Sequence, residues 1–118
     1  MKKFLAVYTG TPTARAMSQW DALDPDARRD REQAGIAAWG EWMERNRAHI
    51  LDSGGPLGKT KRVTRDGVSD ISNHLVGYVV IEAESHEDAA RLFEGHPHFA
   101  IFPGEGVEIM ECLPVPTA

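Results

Sequence analysis

One cysteine, Cys112, stands alone in 118 residues. It has no partner for an intrachain disulfide, and a chain of this length needs no such staple to build a core. A reducing cytoplasm is the expected location. Long apolar runs are missing as well. Met1 to Thr9 is apolar after Lys2 and Lys3, but it is too short for the apolar region of a signal peptide or for a bilayer span. Neither secretion nor a membrane partner is expected. Positive charge is scarce: 13 Lys and Arg against 18 Asp and Glu leave a net charge of −5. That argues against general nucleic-acid binding, which needs a basic surface. The one local concentration is Lys59, Lys61, Arg62 and Arg65. Internal repeats and low-complexity tracts are absent. The length fits one domain over 1–118.

What is present is organised around His74 to Glu94, HLVGYVVIEAESHEDAARLFE. Leu75 to Ile81 is β-branched and aromatic, as a buried pleated surface requires. Val79 and Ile81 point one way, Tyr78 and Val80 the other. Both faces are apolar, so both need cover. Gly77 marks a bulge or a close backbone approach. Ser85 and Asp88 then form a capping-box pattern. Ala89, Ala90 and Phe93 fall on one helical stripe. Gly95 and Pro97 end a helix expected from about Glu87 to Glu94.

The opening strand, Lys3 to Tyr8, is also apolar on both faces, with Phe4, Ala6 and Tyr8 opposite Leu5 and Val7. Between Ala14 and Leu23, Trp20 is read as tucked against the body, the other reading being a lid. Asp24-Pro25 starts a second helix, whose stripe is read as Ile36, Trp39, Met43 and Ile50, with Trp42 at its boundary. Gly35 and Gly40 permit close packing or leave room for a ligand. Asp52 to Pro56 is read as a break, Leu57 to Val63 as a strand, and Asp66-Gly67 as a type I′ hairpin turn. Val107 to Leu113 is the last strand.

The order β-α-β-hairpin-β-α-β predicts an α+β fold, a ferredoxin-like antiparallel sheet with two helices on one face. The other face is left bare. Phe4, Ala6, Tyr8, Tyr78, Val80 and Met110 are expected there, and a second copy packed sheet against sheet is the simplest cover. A homodimer follows.

Few residues offer chemistry. His96 and His98, spaced i, i+2, could share a metal in an extended chain. They lack a third ligand nearby, so no metal is expected, and capping a helix end or lining a cleft is the favoured reading. His74 and Asp70 form either an acid–base pair or ordinary edge polar groups. Trp39, Trp42 and Trp20 are core residues or pocket walls. Cys112 on a buried strand reads as a small hydrophobe. Gly54-Gly55-Pro56 lacks the pattern of a phosphate loop.

In the order and spacing of KKFLAVYTG, AAWGEWMERN, DSGGPLG, GYVVIEAESHEDAARLFEG, HPHF and GVEIMECLPV, the chain resembles the YCII-related family, also called YciI-like or DGPF. The resemblance covers nearly the whole chain. It implies a ferredoxin-like dimeric α/β barrel, related to lyases, isomerases and dehydrochlorinases of small ring compounds. The family's proposed catalytic pair is a histidine on the first helix and an aspartate before the proline after the second. Here those positions read Ala37-Ala38-Trp39 and His96, so that pair does not carry over. The expected site is rebuilt on His96 as acid or base, with Trp39, Trp42, Gly55, His74 and His98 binding a small molecule and no organic cofactor. The alternative is a non-enzymatic dimeric module that binds a ligand or a protein.

Overall fold

A computed structural model describes residues 1–117. The strands are β1 (Lys2–Thr9), β2 (Ile50–Pro56), β3 (Thr60–Thr64), β4 (Gly67–Ile71), β5 (Leu75–Ala83) and β6 (Gly106–Glu111). The helices are α1 (Pro12–Met17), α2 (Pro25–Arg45), α3 (His86–Arg91) and α4 (Pro97–Ala100). Four strands form one antiparallel sheet in the order β2-β5-β1-β6. With β3 and β4 set aside as a separate hairpin, this is the ferredoxin-like order. No helix among the described residues is long and apolar enough to cross a membrane.

Local chemistry explains the helix ends. The Asp24 carboxylate accepts from the Ala27 N–H at 2.8 Å, Pro25 takes the first helical position, and Asp26 meets the positive end of the α2 dipole. At the far end the Asn46 side-chain amide donates to the Trp42 carbonyl at 2.9 Å. Ser85 caps α3 by accepting from the Asp88 N–H at 3.0 Å. That helix is shorter than its sequence suggests and gives way to a turn before Gly95, which lies at φ 68°.

Both helices cover one face of the sheet. Phe4, Ala6, Tyr8, Val79, Ile81 and Ala83 meet Trp42, Ala89 and Phe93 there, all nearly excluded from solvent. Two expectations are corrected. Leu5 pairs with Val80 and Val7 with Tyr78, so Phe4, Ala6 and Tyr8 sit on the covered face, away from Tyr78 and Val80. The uncovered face carries Leu5, Val7, Tyr78, Val80 and Met110. In α2 the buried face runs through Gly35 and Trp42, with Trp39 and Met43 partly buried, whereas Ile36 is 66% exposed. Trp42 is central and not marginal: its indole N–H donates to the Leu92 carbonyl at 2.8 Å.

The stretch read as a break is β2. It pairs with β5 through irregularities between Ile50, Asp52 and Gly55. Gly54 makes this possible: it lies at φ 63°, and a Cβ there would run into the Tyr78 carbonyl. Lys61 and Arg62, read as part of a sheet strand, belong instead to the hairpin β3–β4, whose residues are exposed apart from Thr60. Its turn is Arg65-Asp66 with Gly67 at φ 118°; Asp66 does not take the positive φ of a type I′ turn. The projecting hairpin accounts for a radius of gyration of 16.4 Å, where a compact chain of this length has about 13 Å.

Candidate functional site

Between α2 and the β2–β5–β1 end of the sheet lies a cavity of about 520 Å³. Helix α2 gives it Ile36, Trp39 and Gly40; the strands give it Tyr8, Ser53, Gly55, Pro56 and the segment Val76 to Tyr78; His98 and Phe102 close one end. No lining residue carries a formal charge at neutral pH. The two α2 glycines have different tasks. A Cβ on Gly35 would lie 2.5 Å from the Phe102 ring, whereas one on Gly40 would meet nothing within 4 Å. Gly35 lets Phe102 close against the helix, and Gly40 widens the cavity mouth.

Two histidines stand behind Tyr8. His96, at 0% exposure, caps α4: its Nδ1 accepts from the His98 N–H at 3.0 Å. Because Nδ1 accepts, the ring proton is on Nε2, which donates to Tyr8 Oη at 3.3 Å. The ring is packed by Trp39 at 4.6 Å, Trp42 at 4.7 Å and Tyr8 at 5.1 Å between centroids. Burial, with nearby His98 as a lesser cause, pulls its pKa down to about 4. His96 is therefore neutral at pH 7, and it is not on the cavity wall.

His98 is on the wall. Its Nε2 lies 2.7 Å from the Thr9 carbonyl, which can only accept, so Nε2 bears the proton and Nδ1 keeps its lone pair. Nδ1 has no protein hydrogen bond, and it is not among the sealed unpartnered atoms, so it is open to solvent. Burial lowers the His98 pKa, and the Thr9 carbonyl partly opposes that. Gly104 holds the ring in place: its N–H donates to the His98 carbonyl at 3.0 Å, and a Cβ there would collide with the imidazole. The Thr9 carbonyl also accepts from the Glu105 N–H at 2.9 Å.

Tyr8 is 3% exposed, and burial raises its pKa, so the phenol keeps its proton. Its oxygen accepts from His96. The hydroxyl proton has no protein acceptor among the described residues and is free to donate. A donor and an acceptor thus stand side by side, with the Tyr8 and His98 rings 5.1 Å apart.

Of the residues singled out in the sequence, Trp39, Gly55 and His98 meet at this cavity. His96 and Trp42 lie behind it, in contact with Tyr8 and Trp39 or with each other. His74 is exposed and borders a second hollow of about 570 Å³ that shares His98 and Phe102. Of the two readings of His74 and Asp70, Asp70 fits the edge polar one: its carboxylate is taken by Lys61 at 2.6 Å. Trp20 is buried, 5.9 Å from Phe102 between ring centroids, so it braces the cavity's end from outside. The sequence reading missed Tyr8 and Phe102. The one signal for Tyr8 was its place at the end of an apolar strand. Among the described residues no cluster of three or more His, Cys, Asp or Glu forms a metal-ligand set.

Comparison with protein-family models finds no match, and neither does comparison with curated proteins. Among solved structures the chain is similar to 5-chloro-2-hydroxyhydroquinone dehydrochlorinase from Burkholderia phenoliruptrix AC1100, in complex with 2,5-dihydroxybenzoquinone. The identity is 19% and the TM-score 0.49, over 92% of this chain and 90% of that one. A likeness of that degree leaves the chemistry of the site to be read from its residues.

Proposed function

We propose that this protein is a cytoplasmic homodimer that binds and transforms a small metabolite by acid–base chemistry in the helix–sheet cavity, without an organic cofactor. The observation that carries the reading is a largely apolar cavity of about 520 Å³ with Tyr8 and His98 together in its lining, their rings 5.1 Å apart. Concave, mostly apolar sites of this size with a few convergent polar groups are where small molecules bind. Trp39 and Gly55 are walls in this reading. Trp42 supports them from behind, and His74 serves only the neighbouring hollow. His96 acts through the residues it touches.

The dimer rests on the uncovered sheet face. Leu5, Val7, Tyr78 and Val80 lie there beside Met110, which is 40% exposed. A two-fold partner placed sheet to sheet would remove that apolar surface from water. The resemblance to the YCII-related family supports the dimer.

Light scattering on the eluting protein, followed by native mass spectrometry of material purified without stripping ligands, tests the reading. The expected result is twice 13.0 kDa with a small molecule retained. A dilute particle of single mass would remove the dimer. Failure of every member of a small-metabolite panel to quench tryptophan fluorescence would remove the ligand. Tight binding of a ligand that is never altered would leave a non-enzymatic binding module.

A further inference from the structure

We infer that the cavity takes an uncharged ring carbonyl compound, that His98 Nδ1 removes the proton α to the carbonyl, and that Tyr8 Oη–H holds the carbonyl oxygen. This rests on the small-molecule reading above and adds substrate class and roles. The exclusion of charge comes from the walls: no Lys, Arg, Asp or Glu lines the cavity. A carboxylate or phosphate entering it would lose its water and gain no ion partner, which costs several kcal/mol. The preference for a flat ring comes from the rings of Tyr8, Trp39 and Phe102 together with side-chain-free Gly55 and Gly77 in the lining. Tryptophan and phenylalanine rings 6.2 Å apart offer apolar surface and no polar atom other than the indole N–H.

The hydrogen bonds assign the roles. Thr9 holds the proton on His98 Nε2, leaving a lone pair on Nδ1 as the one basic nitrogen of the lining. His96 occupies an acceptor position on Tyr8 Oη, so the phenolic proton is directed elsewhere. His96 is thus a positioning residue and not the base. In the step itself the α C–H bond breaks and its proton goes to Nδ1. The electron pair moves into a new C=C bond, and the carbonyl oxygen becomes an enolate oxygen that accepts from Tyr8. The imidazolium keeps its Nε2–H on Thr9 and returns the Nδ1 proton to the same carbon or to a conjugated one. The outcome is exchange or isomerisation, with no oxidant, reductant or leaving group.

The test uses 2-tetralone, an uncharged ring ketone, as probe. Binding is read by tryptophan quenching and proton removal by NMR of deuterium entering C1 in D2O. Wild-type protein should bind it and speed exchange well beyond the same concentration of free imidazole. His98→Gln should lose about a hundredfold of that rate and Tyr8→Phe about tenfold or more, both still binding. The anion 2-naphthoate should not bind. Binding of 2-tetralone without faster exchange, wild-type exchange rates in both variants, or equal binding of 2-naphthoate would each overturn the inference while leaving the small-molecule reading intact. No binding of 2-tetralone to wild-type protein would overturn the inference at its root. Continued binding of other members of the metabolite panel would then show that the broader reading survives.

Discussion

Acidification should destabilise this protein, and His96 carries a separable share of the loss. Its ring is fully buried and its pKa lies at about 4, against about 6.5 in the unfolded chain. Between these values the unfolded state binds the proton and the folded state does not, so stability falls as the pH falls from 6.5 towards 4. At about 1.4 kcal/mol per unit, the loss between pH 7 and pH 4 is at most about 3 kcal/mol. That is a large part of the 5–15 kcal/mol typical of a domain. His96→Asn isolates the effect. Asparagine keeps an oxygen to accept the His98 N–H at the α4 cap, and it does not titrate. It gives up the ring's packing against Trp39, Trp42 and Tyr8, a loss of about 2 kcal/mol at pH 7. Urea unfolding followed by tryptophan fluorescence at half-unit steps of pH gives both stabilities. The gap between wild type and variant should shrink as the pH falls, close near pH 5 and reverse by about 1 kcal/mol at pH 4. Other groups, His98 among them, titrate in both proteins and cancel in the difference. Parallel curves from pH 7 to 4 would refute the reasoning, because His96 would then carry its proton as readily folded as unfolded.

The glycines give three further expectations. Gly35→Ala forces a Cβ to within 2.5 Å of the Phe102 ring and should cost about 1–2 kcal/mol in urea unfolding, overpacking outweighing the helix gain. Gly40→Ala meets nothing within 4 Å and should stabilise by up to about 1 kcal/mol while narrowing the cavity mouth, seen as weaker quenching by 2-tetralone. Gly104→Ala should leave the strand content seen by circular dichroism nearly unchanged but displace the His98 ring, lowering C1 exchange by about tenfold or more.

Much of the architecture was legible because local chemistry and global fold agree. Ser85 and Asp24-Pro25 each mark a helix start that tertiary packing keeps, whereas Gly95 lies at the end of the turn that follows α3. Alternation in β1 and β5 correctly grouped the residues within each strand. It said nothing of which group in one strand faces which in the other. That depends on register, and a shift of one residue exchanges the faces. Hence alternation alone groups Tyr8 with Tyr78, whose neighbour across the ladder is Val7. The β2 stretch was illegible for another reason. Gly54, Gly55 and Pro56 all oppose a regular strand locally, and only β5, more than 20 residues on, supplies the partners. Along α2 a stripe counted from large apolar residues overlooked Gly35, whose lack of a side chain is what lets a ring approach. The histidines were visible as candidates, but their division of labour was not. It is decided by Thr9 and Tyr8, separated by 89 and 88 positions.

Those two positions are adjacent in the chain, and their adjacency ties the site to an irregularity in the sheet. The register between β1 and β5 slips between Tyr8 and Thr9: Tyr8 pairs with Gly77, Thr9 with Leu75, and Val76 is passed over. Such bulges bend a strand and redirect its groups. Gly77 faces Tyr8 closely, since a Cβ there would come within 3.3 Å of the Tyr8 ring. One residue later the Thr9 carbonyl, on the β6 side of the strand, accepts from His98 and the Glu105 N–H. Val76, released from pairing with β1, lines the cavity and gives its carbonyl to the Leu57 N–H at 3.0 Å. Two successive residues at the end of β1 therefore place the donor and fix the acceptor's tautomer. Without the Thr9 carbonyl, His98 would be free to take either tautomer. The cavity would keep its walls, but its two polar groups would no longer be held in complementary roles.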